Sequence, residues 1–228
     1  MDKTGRETAE MDLAAHLRAG AAIYNAGEYH AAHDAWEELW LEMDDGPDRD
    51  LLQGLIQFTA AVYHADQRNW AGTTGLATSA HRYLADLGAA RHGVALESIR
   101  DYLVVLGRDP EVIERRRPIR IVLDGEPVIV DELPFESVAI AARVLAAEYD
   151  YNEDQIERAI EYATADLAAE KVTSPFVTLL IDFVRGERGI VRQRLSEHIG
   201  RRNHKESDVE GLFETDSDNQ FEALSQYF

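Results

Sequence analysis

The chain contains no cysteine, and this absence removes three kinds of chemistry. Without thiols the protein has no disulfides, no thiolate metal ligands and no cysteine nucleophile. Any metal site would therefore have to be built from histidine, aspartate and glutamate. The sequence also lacks a glycine-rich phosphate loop and a serine in a nucleophile-elbow pattern, so two common types of catalytic motif are missing as well.

Lysine is almost missing, since Lys3, Lys171 and Lys205 are the only examples. The chain carries 43 acidic residues against 23 lysines and arginines, which gives a formal net charge of -20. This balance argues against nucleic-acid binding, which relies on cations that neutralise phosphates. At about 1 M salt the screening length falls to roughly 3 Å, and the self-repulsion of such a surface largely disappears. We therefore expect a halophilic, haloarchaeal protein; an ordinary acidic cytosolic protein is the alternative.

Long apolar runs are also missing. The N-terminal segment MDKTGRETAEMD contains none, which predicts that there is no signal peptide. No stretch approaches the roughly 20 apolar residues that a membrane span requires. Hydrophobic residues still make up 45% of the chain, which is ample for a core. We expect a soluble, cytoplasmic protein that has no membrane partner.

The dominant pattern in the sequence is helical periodicity, which predicts an all-α fold. One short β-hairpin is predicted near residues 119–130, where β-branched residues flank the turn signal Asp124-Gly125. Three regions are expected along the chain. Residues 7–131 form a helical bundle, residues 132–200 form a smaller three-helix unit, and residues 201–228 form an acidic mobile tail.

Polar side chains interrupt the apolar faces of the second and third predicted helices. On the second helix the aromatic face also carries His30, His33 and Glu37. On the third helix Gln53, Gln57 and His64 lie among small residues, opposite a strongly apolar side. Buried polar groups need partners, and a short connection makes the two helices antiparallel neighbours. We therefore expect the polar groups of the two helices to meet.

The order of these residues resembles a known family. An Asn-Ala-Gly-Glu-Tyr turn is followed by a His/Glu/Trp spacing, a Gln-Gly-Leu-Ile-Gln segment, a histidine and an Asn-x-x-Gly step; the positions are Asn25 to Tyr29, His33, Glu37, Trp40, Gln53 to Gln57, His64, Asn69 and Gly72. From about Ala22 to Leu84 the chain is similar to the domain-of-unknown-function family number 309. The resemblance implies an all-helical bundle and brings the general label of a predicted metal-dependent hydrolase. Asp34 stands where the family usually has a glutamate, so one candidate carboxylate is shorter here.

Two interpretations of the polar residues compete. In the first, His33, Glu37 and His64 bind a divalent metal, namely zinc, manganese or iron, and Glu37 and Asp34 act as catalytic carboxylates. In the second, the same side chains join Gln53, Gln57 and Asn69 in a buried hydrogen-bond network that fixes the register of a non-enzymatic scaffold.

A third interpretation is a binding module. Aromatic side chains would line a groove for a small molecule, a partner helix or a second copy of the chain; they are Tyr29, Trp36, Trp40 and Trp70. A separate arginine cluster, Arg115–Arg117 with Arg120, is either a phosphate or partner site or a solvated loop beside acidic neighbours.

Overall fold

A computed structural model describes the backbone of residues 3–205 and the side chains of residues 10–205. The fold is all-α with a small antiparallel sheet, as the sequence predicts. The helices are α1 (Lys3–Asn25), α2 (Ala31–Glu42), α3 (Pro47–Asp66), α4 (Trp70–Leu84), α5 (Leu96–Arg108), α6 (Val112–Arg115), α7 (Phe135–Glu148), α8 (Glu153–Ala168), α9 (Pro175–Arg185) and α10, of which residues 188–205 are described. No helix in this part of the chain is long and apolar enough to cross a membrane.

The sheet contains two hairpins, of which the sequence predicted one. Its strands are β1 (Ala90–Arg91), β2 (Val94–Ala95), β3 (Val122–Leu123) and β4 (Glu126–Pro127), in the order β1-β2-β3-β4. The predicted hairpin turns at Asp124 and Gly125, which both have positive φ, as a tight two-residue hairpin turn requires. The unpredicted hairpin, β1–β2, turns at His92 and Gly93 in the same way. Strands of two residues are too short to show an alternating pattern.

The two turns of the sheet touch each other. A Cβ added to Gly93 would lie 2.4 Å from Oδ1 of Asp124, so only glycine fits at this position. Val94 pairs with Leu123 across the centre of the sheet, and both side chains are buried. The sheet thus joins a segment that follows α4 to a segment that follows α6.

Contacts divide the chain after Glu153 into two compact units. In the first unit α1 packs against α2 and α7, while α3 packs against α2 and α4, and α4 against α5. The sequence placed the boundary at residue 131, but α7 contacts the first two helices and clusters with the first unit. The second unit contains α8, α9 and α10. Residues 201–205, predicted as the start of a tail, continue α10, and residues 206–228 lie outside the described residues.

Several helix ends follow local signals in the sequence. Asn69 caps α4, since its side-chain oxygen accepts a hydrogen bond from the N–H of Gly72 at 3.1 Å. Ser174 caps α9 and Pro175 occupies its first turn. Residues 132–200, however, contain four helices where the sequence predicted three. Gly186, with a φ of 107°, ends α9 in the left-handed conformation before α10 begins.

The second unit is held together around one buried carboxylate. Asp166 on α8 is 2% exposed. It accepts hydrogen bonds from Lys171, from Oγ of Ser174 at 2.9 Å and from Arg202 on α10 at 3.0 Å. A buried charge is tolerated when it is paired in this way. Asp166 therefore connects α8 both to the start of α9 and to α10.

Candidate functional site

Three potential metal ligands lie together on α2. One ligand atom from each of His33, Asp34 and Glu37 can be chosen so that all three lie within 4.8 Å of one another. Glu37 lies one turn beyond both His33 and Asp34, because residues three and four apart are neighbours on the surface of a helix. His33 and Asp34 are partly buried, and Glu37 is exposed to solvent. The group therefore opens to water on the Glu37 side.

His33 and Asp34 form an ion pair within this group. Nε2 of His33 lies 2.9 Å from Oδ1 of Asp34. The hydrogen bond with Asp34 raises the pKa of His33, and partial burial of the ring offsets only part of this effect. The charge of Glu37 acts in the same direction as Asp34. The geometry therefore favours the imidazolium, and a metal ion would have to displace a proton from Nε2 before it could bind there.

His64, the third ligand expected from the sequence, lies outside the His33 group and has another partner. Its Nδ1 lies 2.7 Å from Nδ2 of Asn69, whose Oδ1 accepts from the N–H of Gly72. The amide orientation is thereby set, so Nδ2 donates and Nδ1 of His64 accepts. In neutral His64 the ring proton then sits on Nε2, which leaves neither nitrogen free to bind a metal. His64 joins the end of α3 to the start of α4.

Gly72 completes this joint because no side chain fits there. A Cβ at this position would lie 2.8 Å from Nδ2 of Asn69 and 3.0 Å from Nδ1 of His64. Contacts of this length are almost never seen for real Cβ atoms. The Asn-x-x-Gly step in the sequence thus has a direct steric explanation: the glycine makes room for the cap and its histidine.

His30, the residue that precedes α2, also connects two helices through its side chain. Its Nδ1 lies 2.8 Å from Oε2 of Glu148, at the end of α7. Its ring packs 4.9 Å from the ring of Tyr63 on α3 and meets His33 edge-on at 5.2 Å. The partner Glu148 lies 118 residues away in the sequence, so no local pattern indicates it.

The segment that contains these helix-to-helix contacts matches a known protein family. Residues 17–76 match the family described as Domain of unknown function (DUF309). The match supports the resemblance inferred from the sequence, and every position that carries this resemblance lies inside it. The description of DUF309 names no activity. No curated protein matches the chain.

Gln53 and Gln57, the glutamines of the expected network, are only partly buried, and neither forms a hydrogen bond with a described residue. Oε1 of Gln57 is shielded from solvent, and no side chain or backbone group in the described part of the chain donates a hydrogen bond to it. Gly54, between them, faces α4: a Cβ there would lie 2.3 Å from Cδ2 of Leu84. The small residues of α3 therefore allow α4 to pack closely against it. Asn69, the third position of the expected network, is exposed and bonds to His64.

A histidine that the sequence did not single out connects α1 to α2. His16 Nδ1 lies 2.6 Å from the carbonyl oxygen of Ala35, and Nε1 of Trp36 donates to the carbonyl oxygen of His16 at 2.9 Å. Trp36 is completely buried, so it does not line a groove. It lies against Gly20, where a Cβ would be 2.3 Å from Cε2 of the indole. The pairing of a glycine with a distant tryptophan left no local signal.

The first residue of the DUF309 turn, Asn25, holds the second hairpin. Its Nδ2 donates to the carbonyl oxygens of Ile121 at 2.8 Å and Val128 at 2.9 Å, and its Oδ1 accepts from the N–H of Ile121 at 2.8 Å. The side chain therefore bonds to the backbone on both arms of the hairpin. The sequence indicated only a turn at this position.

Proposed function

We propose that α2 carries a divalent-cation site formed by His33, Asp34 and Glu37, and that the protein is a metal-dependent hydrolase. The observation that supports this proposal is the convergence of three ligand atoms within 4.8 Å of one another. The set differs from the one expected from the sequence, since Asp34 takes the place of His64.

The donor atoms suit the proposed metals. One imidazole nitrogen and two carboxylate oxygens are ligands for zinc, manganese or iron. Three protein ligands leave coordination positions for water and substrate, and the exposed Glu37 keeps the site open to both. When bound, such a metal lowers the pKa of a water molecule to about 7.

The side chains have distinct roles in this proposal. Asp34 orients the His33 ring through its contact with Nε2, and the proton that the ring must lose on metal binding passes to solvent. Glu37, at the open side, is the carboxylate best placed to take a proton from a water molecule that enters. Because protons compete for His33, metal binding should strengthen as the pH rises.

A second candidate function is a non-enzymatic scaffold, which a separate set of contacts favours. His33 pairs with Asp34, His30 with Glu148, and His64 with Asn69, so each of these three histidines has a partner without a metal. In this alternative the polar residues align the helices and do no chemistry.

Metal titration distinguishes the two candidates. Calorimetry with zinc and manganese should show one site per chain in the wild type. Glu37→Gln should weaken binding by about tenfold or more, the typical loss for a metal-site change. Glu38→Gln is the matched control, since this exposed neighbour on α2 lies outside the group. His64→Gln should also leave the affinity unchanged.

Two outcomes would refute the metal site: no stoichiometric binding by the wild type, or equal binding by Glu37→Gln. The scaffold would then predict that His33→Gln lowers the melting temperature in the presence of a chelator. A metal that binds as proposed, without any hydrolysis of ester or phosphoester test substrates, would retain the site but reject the hydrolase.

A further inference from the structure

A cavity of about 320 Å³ lies at the end of α1, apart from the His33 group. One wall is the DUF309 turn, with Tyr24, Gly27 and Tyr29, and the other is the segment 117–120 that leads into the second hairpin. None of the three proposed metal ligands lines it. Its volume is at the lower end of the range for ligand pockets, about 300–1,000 Å³, which fits a small metabolite.

Two arginines that line this cavity have no hydrogen-bond or ion-pair partner in the described part of the chain. Neither Arg117 nor Arg120 forms a hydrogen bond or an ion pair with any residue between 10 and 205. Their neighbours behave differently: Arg115 pairs with Asp109, and Glu114 pairs with Arg68 at 2.9 Å. In a chain with 43 acidic residues, acidic partners are abundant. Two uncommitted guanidinium groups at one cavity are therefore available for an external anion.

Tyrosine hydroxyls add hydrogen-bond donors to the same place. Tyr24 is 2% exposed, and its buried hydroxyl has no hydrogen-bond partner among residues 10–205. Such a group costs roughly 1–3 kcal/mol unless water or a ligand satisfies it. The Tyr29 ring lies 5.2 Å from that of Tyr24 and also lines the cavity. Burial raises the pKa of both phenols, so they remain protonated donors at neutral pH.

Charges of both signs act on Tyr29. Burial raises the pKa of this phenol, Asp66 on α3 raises it further, and Arg117 opposes them with a smaller effect. Asp66 is exposed and accepts a hydrogen bond from Gln67 at 3.1 Å, so solvent screens it. Asn25 also lines the cavity, but its amide is fully used in holding the hairpin.

We propose that this cavity binds a small anionic molecule, with Arg117 and Arg120 holding a phosphate or carboxylate group and Tyr29 contacting a planar part of the ligand. The guanidinium fork matches the geometry of either oxyanion and often binds it through two hydrogen bonds. Both kinds of anion share this chemistry, and the experiment separates them.

Calorimetric titration with phenyl phosphate and with benzoate tests the proposal, and phenol serves as the neutral control ligand. We expect saturable binding of at least one of the anions and none of phenol. The double variant Arg117→Gln/Arg120→Gln should weaken binding by about tenfold or more, equivalent to about 1.4 kcal/mol. Arg116→Gln is the matched control, because Arg116 is an exposed neighbour that does not line the cavity. Its affinity should stay within about twofold of the wild type.

The anion that binds more tightly identifies the headgroup. Added KCl should weaken binding, because exposed charges are screened at high ionic strength. The proposal fails if neither anion saturates the protein at low salt, if the double variant binds as well as the wild type, or if Arg116→Gln loses as much affinity as the double variant. All the substituted arginines are exposed, and circular dichroism confirms the fold of each variant.

Discussion

Replacing Asn25 by aspartate should selectively weaken the attachment of the second hairpin. The change keeps the shape of the side chain but replaces the donor Nδ2 by a carboxylate oxygen. This oxygen would face the carbonyl oxygens of Ile121 and Val128, to which Nδ2 donates at 2.8 and 2.9 Å, and both hydrogen bonds would be lost. Only the bond that Oδ1 accepts from the N–H of Ile121 survives. Ile121 is fully buried, so water cannot easily replace the lost donor.

The size of the effect follows from these contacts. Each hydrogen bond contributes about 0.5–1.5 kcal/mol, and a buried group left without a partner costs roughly 1–3 kcal/mol. We therefore expect Asn25→Asp to reduce the free energy of unfolding of the first unit by about 3 kcal/mol. Urea unfolding followed by circular dichroism measures the loss, and hydrogen exchange should show faster opening of residues 119–130. At low pH, where the new carboxyl is protonated and can donate again, part of the loss should return.

A control separates this local effect from the added negative charge. Gln67→Glu makes the same amide-to-acid change on an exposed side chain at the end of α3. It should change stability by no more than about 0.5 kcal/mol. If Asn25→Asp behaves like this control, and exchange at residues 119–130 is unaltered, the three hydrogen bonds do not hold the hairpin.

Two further stability predictions concern packing and charge. Gly20→Ala should destabilise the fold by about 1–3 kcal/mol, because the new methyl group overlaps the buried ring of Trp36. Gly75→Ala is the control: it lies in open space on α4 and should be neutral or stabilising by up to about 1 kcal/mol. Equal melting temperatures for the two variants would contradict the close contact of Gly20 with Trp36. Asp166→Asn should cost the second unit about 3 kcal/mol. Burial alone would raise the pKa of Asp166, but its hydrogen bonds outweigh this and lower it, so its contribution is present above the ordinary value of 3.8 and lost as the pH falls through the lower folded value. An unfolding profile with the same acid dependence in wild type and variant would refute this.

Features that depend on residues close together in the chain can be predicted from the sequence. The Asp124-Gly125 turn is a two-residue signal, and it predicted its hairpin. The caps of α4 by Asn69 and of α9 by Ser174 depend on equally local signals. Helical periodicity was sufficient for the fold class.

The features that the sequence missed depend on distant partners. Asn25 bonds to residues 96 and 103 positions away, and His30 to one 118 positions away. The expectation that His33 and His64 converge assumed that the polar faces of α2 and α3 pack against each other. The real position of His64 is set by the cap of the following helix, which contributes the competing partner. Periodicity identifies the buried face of a helix, but the tertiary packing determines which residues cover that face.

The packing of α1 against both α2 and α7 has a consequence for synthesis on the ribosome. The first partner follows directly, but α7 ends only at Glu148, about a hundred residues after α2. At about 5–20 residues per second, α1 waits roughly 5 to 20 seconds for its second neighbour. During that time the side of α1 that α7 later covers is open to chaperones or to another nascent chain. A ribosome stalled before residue 135 should therefore display an emerging chain that a chaperone recognises, and one stalled well beyond Glu148 should not.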